Sequence, residues 1–410
     1  MSGQIAIVGA GPSGCYLAQA LLKLAPDLKV DLIDALPVPF GLTRYGVAAD
    51  HQGTKAVTRQ FARTFERQGA RFFGNVRVGR DLSLAQISSA YDATVLAAGL
   101  SSDRPLDIPG GDLPQVYGSA RLTRALNEHP DAVTLPDLGA HPVILGNGNV
   151  AVDLLRILCK NPAEFDGSDL GPGPTAWLAA NNIETITIVG RSPAAKAKFD
   201  PVMVRELRKL ENIHVTMDEP ESSSAPEEQK KLQALHDLNG HGTGSVRVNF
   251  RFGIQPLAVE GDSRVTGLRV AAVESEEIIG ATSLITAIGF MSDGDLNRDT
   301  LITKAAPQQG GKLDERLYSA GWFRHGPRGT IPQSRADAQD TAALILSELT
   351  IDPARMGATI FAELPDCTDY LGWQQIDRVE QGQSLPGRCR QKITSTKKLI
   401  NVAKQRGQNL

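Results

Sequence analysis

Two Gly-x-Gly-x-x-Gly/Ala turns, each set between an apolar run and a helical pattern, and an acid twenty residues beyond the first turn predict an α/β fold. That fold consists of two Rossmann-like dinucleotide-binding domains. The first unit opens the chain. Gln4–Val8 is a short apolar strand, Gly9-Ala10-Gly11-Pro12-Ser13-Gly14 is the turn, and residues 15–24 carry apolar side chains at helical spacing. Residues 30–33 form the next strand, which ends at Asp34. In such a turn the first glycine permits the tight bend, the second lets backbone approach a pyrophosphate, and the third lets helix pack on strand. The free N–H groups and positive end of the helix then face the phosphates. Asp34 stands where a carboxylate accepts ribose hydroxyls. A Pro- and Gly-punctuated stretch at 36–41 leads to a predicted helix at 54–68, and residues 72–78 and 92–98 read as further strands. The last of these leaves through Ala97-Ala98-Gly99, a small-residue exit that allows close approach.

The second unit repeats this grammar. Pro142–Leu145 is a strand, Gly146-Asn147-Gly148-Asn149-Val150-Ala151 the turn, residues 152–160 a helix, and 185–189 a strand closing at Gly190-Arg191-Ser192. A Gly/Pro/Asp-rich insert occupies 161–174. The second strand ends in Arg191 where the first ends in an acid, and that difference carries chemistry. An acid repels a 2′-phosphate, whereas an arginine grips one bidentately, and Lys196 and Lys198 stand nearby. The first site therefore suits FAD and the second NADPH rather than NADH. Residues 219–244 are polar and charged, either a partly helical surface excursion or a mobile loop, and periodicity does not decide between them. Residues 283–288 are another buried-strand candidate, ending in Gly289.

Composition narrows the rest. A chain of 410 residues exceeds one core. Forty-three basic against 46 acidic side chains give a net charge of −3, which removes any global argument for nucleic-acid binding. No apolar run reaches the ~18 residues of a membrane span. An apolar strand so close to Met1 leaves no room for a leader, so a cytoplasmic protein is expected. Four cysteines, at 15, 159, 367 and 389, are too far apart for a dithiol motif or an iron–sulfur ligand set. Two dinucleotide sites in one chain suggest a flavoprotein fed by a nicotinamide. With no internal acceptor, its electrons must leave the protein.

The run Phe40-Gly41-Leu42-Thr43-Arg44-Tyr45-Gly46-Val47-Ala48-Ala49-Asp50-His51 resembles a signature of the adrenodoxin-reductase-like ferredoxin–NADP(+) reductases. So do Phe72-Phe73-Gly74-Asn75-Val76, the second glycine turn, and Gly321-Trp322-Phe323-Arg324-His325-Gly326-Pro327-Arg328-Gly329-Thr330-Ile331. The likeness runs in order from residue 4 to about 345, is weak over 219–244, and reappears at Gly372-Trp373, Ile376-Asp377 and Gly387-Arg388. It implies an NADP-binding domain, 104–317, inserted into a split FAD-binding domain, 1–103 and 318–410. It also implies FAD contacts at Gly9, Gly11, Ser13, Gly14, Asp34, Gly41, Leu42 and Val78, with Trp322, Gly329, Thr330 and Ile331 facing the flavin ring. Arg104, Gly146, Gly148, Asn149, Val150, Ala151, Val152, Arg191 and Ser192 fall on the NADP side. His51 and Glu206 are the candidate catalytic pair at the nicotinamide–flavin contact.

Two departures weaken the family pattern. Ser192 stands where relatives carry a second arginine, and Met203 where they carry a glutamate that touches the NADP ribose. The resemblance further implies FAD and NADP(H) as cofactors and a ferredoxin as partner, with neither nucleic acid nor membrane, and a monomer. An NAD(P)H oxidase or a quinone or small-molecule reductase on the same scaffold is the competing enzyme. A nucleotide sensor without turnover is the competing class.

Overall fold

The computed structural model describes residues 2–218, 221–272, 275–292, 296, 298–305, 310–327, 329 and 331–405. Two six-stranded sheets organise it. The first runs, in spatial order, Lys312–Asp314, Leu317–Ser319, Ala93–Leu96, Gln4–Val8, Lys29–Ile33 and Arg71–Phe73, and only its outermost pair is antiparallel. The second is wholly parallel: Val116–Gly118, Ser283–Thr286, Pro142–Leu145, Thr185–Gly190, Val246–Phe252 and Ile213–Met217. A three-stranded antiparallel sheet, Gln255–Glu260, Gly267–Ala271 and Glu276–Gly280, is appended to it.

Both faces of a doubly wound sheet are covered, so its strands read as unbroken apolar runs rather than alternating ones. Gln4–Val8 obeys this. Ile5 and Ile7 face a core shared with the helices Pro12–Leu24 and Ile331–Glu348, while Ala6 and Val8 face a second cluster with Ile87 and Tyr91. The strand expected over 72–78 stops at Phe73. Gly74 turns away to exchange backbone hydrogen bonds with Thr368, and Asn75 takes a left-handed φ of 59°. The helix expected at 54–68 is broken into Gln52–Lys55 and Thr58–Glu66. Within 219–244 the described residues include a helix, Pro226–His236, which resolves the choice left open by periodicity.

The chain crosses between the two sheets at one ribbon, where Ser102–Asp103 pairs antiparallel with Phe290–Met291. That geometry corrects the expected boundary at 317. Leu301, Ile302 and Ala305, in the segment following the return, pack with Val8, Ile33 and Leu96 of the first sheet, and Lys312–Asp314 extends that sheet's edge. The inserted unit therefore ends at the ribbon, near 290, because the apolar residues beyond it face the first core.

Buried charge joins three stretches of chain. Lys55 Nζ lies 2.8 Å from Asp169 Oδ2, and Lys392 Nζ approaches the same oxygen at 3.2 Å. Arg44 meets Glu380 at 2.5 Å, and Arg390 joins Glu380 and Asp377 at 3.3 and 2.7 Å. Burial, then the neighbouring Lys392 charge, pushes the Lys55 ammonium down to about 7 against the pull of Asp169. Removing one partner of a buried pair typically costs about 3–5 kcal/mol, because the other charge is stranded. Asp169→Asn strands two ammonium groups. With their folded pKa values held below the unfolded ones, the unfolded state binds more protons, so the deficit should grow as pH falls from 9 to 6. Thermal unfolding midpoints of wild type and Asp169→Asn across that range check this, and a pH-independent difference would contradict it.

Candidate functional site

The two glycine turns are built alike. Gly9 has a φ of 111° and Gly146 one of 125°. Gly9 N donates to Ile33 O at 2.7 Å and Gly146 N to Val189 O at 2.8 Å, so each turn is pinned to the neighbouring strand's end. A Cβ on Gly9 would fall 2.4 Å from Ala97 O, and one on Gly146 2.3 Å from Ala287 O. The small-residue exits of the first and second sheets thus close directly on the turns. A Cβ on Gly14 would sit 1.9 Å from Gly9 O, which is the close helix–strand contact expected of the third glycine. Ala151, fully buried, takes that place in the second turn. In front of the second glycines the space is open: the nearest atoms to a Cβ are Gly41 Cα at 3.9 Å for Gly11 and Lys198 Cβ at 4.0 Å for Gly148.

Gly11 and Gly148 are also the N-caps of the helices Pro12–Leu24 and Asn149–Cys159. Neither helix has a side-chain cap or an acid in its first turn. Their leading N–H groups are therefore left to an anion. The Asn147 amide nitrogen is buried without a hydrogen-bond partner among the described residues, a donor that a ligand's oxygen would satisfy. The Asn149 side-chain oxygen instead accepts from Asp200 N at 2.7 Å. Val152 is buried and Val150 packs against the same core.

Asp34 closes the first turn from below. It accepts from Ala10 N at 2.8 Å and Leu36 N at 3.0 Å, and each oxygen keeps a second lone pair for a ribose hydroxyl. Burial pushes its carboxyl up to about 6, and the two backbone donors pull the other way. Phe40 N donates to Ala10 O at 2.8 Å, laying the Gly41–Tyr45 helix against the turn with Leu42 39 % exposed. Val78 is buried. Ser13 Oγ lies 1.9 Å from where a Cβ on Gly321 would be, so Trp322 follows directly over the start of the first helix. The Trp322 ring stacks on Phe290 at 5.9 Å and 25°. Arg104 N donates to Gly289 O at 3.2 Å, and Gly329 has a φ of 93° and is exposed. Thr330 and the side chain of Ile331 lie outside the described residues.

Arg191 is exposed and makes no ion pair among the described residues, while Met203 turns its side chain to the second core. His51 Nε2 lies 3.2 Å from Glu206 Oε2, which brings the two candidates together across the seam between the sheets. Sequence reasoning missed what surrounds them. His51 Nδ1 faces Asp153 Oδ1 at 3.7 Å, and Arg156 Nη2 reaches Asp153 at 2.9 Å. Arg156 also grips both oxygens of Asp50, and Lys160 Nζ meets Asp50 Oδ2 at 2.5 Å. Burial alone would raise the Asp50 carboxyl, but Arg156 and Lys160 outweigh it and hold it well below the usual range. Burial raises Asp153, with Arg156 and His51 opposing. The overlooked signal was the Asp153/Arg156 pair on the buried helix directly behind the second turn.

These donors fit two dinucleotides: two open second glycines, two uncapped helix starts, one buried donor without a partner, and the exposed apolar Leu42, Ile288 and Met291. A ribose hydroxyl donates well only to the ionised form of Asp34. FAD affinity should therefore fall as pH drops through about 6, and Asp34→Asn should flatten that dependence. Asp34→Ala should cost about 1.5–3 kcal/mol of FAD binding, the worth of hydrogen bonds to a charged group. Flavin titration of the deflavinated protein between pH 5 and 8 measures both. Unaltered affinity in Asp34→Ala would remove the residue from the site.

Comparison with known proteins agrees with this geometry. Cindoxin reductase of Citrobacter braakii is 41% identical over 98% of this chain and 91% of its own length. NADPH-ferredoxin reductase FprA of Mycobacterium tuberculosis is 32% identical over 97% of this chain and 98% of its own. The structure of that FprA in complex with NADPH superposes with a TM-score of 0.89 at 29% identity, covering 98% of this chain and 100% of the other. The family model described as pyridine nucleotide-disulphide oxidoreductase matches residues 3–319. The chain belongs to the pyridine nucleotide-disulphide oxidoreductase family.

Proposed function

We propose that this chain is an FAD-dependent ferredoxin–NADP(+) reductase, and the observation that carries the reading is the pair of matching dinucleotide turns, each closed by a strand exit, at Ala97 or Ala287, that leads into or out of one crossing ribbon, where Phe290 stacks on Trp322. Bound here, FAD would supply a two-electron acceptor for the NADPH hydride that can also release electrons one at a time. The chain's own groups bind, orient and shield. The first helix start and Asp34 hold the FAD pyrophosphate and ribose, with Leu42, Trp322 and Gly329 against the ring. The second helix start holds the NADPH pyrophosphate and Arg191 the 2′-phosphate. Gly289 and Gly329 leave room for the nicotinamide beside Arg104. His51 Nε2 and Glu206, 3.2 Å apart, position the encounter at its edge. The cysteines are free, with Cys15 and Cys159 buried, so electrons leave for a separate carrier. The similar proteins are named for ferredoxin and cindoxin reduction, which supports a small carrier protein as acceptor. Among the described residues no helix is long and apolar enough to cross a membrane. In this reading the protein works as a cytoplasmic monomer.

A docking surface for an acidic ferredoxin has to be local, given the net charge of −3. Arg205, Arg208 and Lys209 are exposed, whereas Lys230 is paired with Glu227 at 2.7 Å and Lys231 donates to Ala197 O at 2.7 Å. The basic C-terminal segment is a weaker rival, because Arg390 and Lys392 are engaged internally.

Rapid mixing tests the function. Anaerobic NADPH should bleach the flavin promptly, and the reduced protein should be reoxidised by a ferredoxin faster than by oxygen or a quinone. Binding without bleaching would make it a sensor, and preferred reoxidation by oxygen an oxidase. His51→Ala and Glu206→Ala should slow the bleaching while flavin stays bound, and unchanged rates would make both structural. Arg191→Ala should weaken NADP(+) about tenfold or more and leave NAD(+) nearly untouched, since a charged hydrogen bond to the 2′-phosphate is lost. Ser192→Arg should widen the preference. Equal losses for both nucleotides would mean that Arg191 is structural.

A further inference from the structure

We infer that Lys198 is a further binding residue for NADP(H), its ammonium pairing with the pyrophosphate over the second glycine turn. The inference rests on the reading of that turn as the NADPH site. Backbone ties fix where Lys198 begins. Its N–H donates to Asn147 O at 3.1 Å, Gly148 and Lys198 form a parallel bridge, and two residues later Asp200 N donates to Asn149 Oδ1 at 2.7 Å. Segment 198–200 is thus clamped to the turn and to the start of the helix Asn149–Cys159. The flanking Ala197 and Phe199 are buried, so the extended backbone turns Lys198 outward.

Its stem then stands at the one place where a pyrophosphate approaches backbone. Among the described residues, chain neighbours aside, Lys198 Cβ is the one atom within 4 Å of a Cβ built on Gly148, at 4.0 Å. The ammonium has no ion-pair or hydrogen-bond partner among the described residues, unlike those of Lys231 and Lys55. The helix start has no acid in its first turn and no side-chain cap, and the adjoining Asn147 amide nitrogen is buried without a partner among the described residues. A compact, flexible cation is suited to a diphosphate as a point charge, without the fixed fork of an arginine.

This position has a consequence for selectivity. On the 2′-phosphate side the chain offers Arg191 with Ser192 beside it, and Met203 faces the core. Lys198 adds attraction to a group that NADPH and NADH share. It raises nucleotide affinity without adding discrimination, so the preference for NADPH falls to Arg191.

Calorimetric titration of the flavin-loaded protein with NADP(+) and with adenosine 2′-monophosphate, which lacks the pyrophosphate, separates the possibilities. Lys198→Ala should weaken NADP(+) about five- to tenfold at low salt, in the range of a partly solvated charge contact, and leave the monophosphate unchanged. The loss should shrink at 0.5 M salt, and Lys198→Arg should recover most of it. Arg191→Ala should weaken both ligands. Loss of monophosphate binding in Lys198→Ala would overturn the assignment by making Lys198 a reader of the 2′-phosphate, and unchanged NADP(+) binding would overturn it by leaving the ammonium in solvent. Failure of the wild-type protein to bind either ligand would sink the reductase reading together with it. Flavin content and thermal midpoint of the variant, both expected to match wild type, show that the fold is intact.

Discussion

Two cradles can exchange a hydride between their occupants only if the seam between them is held to a single register, and here that register depends on Asp50. Its carboxylate, on the first unit, takes the guanidinium of Arg156 and the ammonium of Lys160 from the second, and Arg156 reaches on to Asp153 and toward Glu206. Arg156 and Asp50 are both almost wholly buried. A pair so placed adds little net stability over an apolar contact, since desolvation offsets attraction, but a seam displaced by a residue would leave each charge alone at a cost of several kcal/mol. The pairing therefore acts as a key. His51 and Glu206 inherit their separation from it, as neighbours of the same cluster.

The second buried cluster does the same work at the far end of the seam. Asp169 belongs to the inserted unit, Lys55 to the amino-terminal segment and Lys392 to the carboxy-terminal one, so a single carboxylate ties all three. Glu128, beside it, is pushed up to about 7 by burial and has one carboxyl oxygen without a partner among the described residues.

What was legible in the sequence is what consecutive residues encode. The glycine turns, Asp34 and the flanking strands could be read because the backbone conformation, the helix start and the acid fall within about thirty residues of one another. The seam could not be read in this way: Arg156 and Asp50 are 106 positions apart, and nothing local marks them as partners. The domain boundary at 317 failed for a related reason, since whether an apolar residue at 301 or 305 faces one core or the other is decided only by packing. Side-chain direction in the basic C-terminal segment is equally non-local. Arg388, Arg390 and Lys392 look like a solvated run but turn inward to Phe165 O, Asp377 and Asp169. The apolar-strand estimate at 72–78 overran because Gly74 pairs with Thr368, far along the chain.

The placement of Leu317–Ser319 beside Ala93–Leu96 sets the order in which the molecule can be made. Thr94 and its partner Leu317 are separated by more than two hundred residues, which at ~5–20 residues per second leaves the emerging chain waiting about 10–45 s. During that time the strand 93–96 has a bare edge, a template for wrong pairing. The strands of the second sheet, by contrast, all lie between 116 and 286, so that unit can close on itself while still tethered to the ribosome. Translation thus delivers a closed second sheet on an unfinished first one, and the first glycine turn stays on an incomplete sheet until the last quarter of the chain.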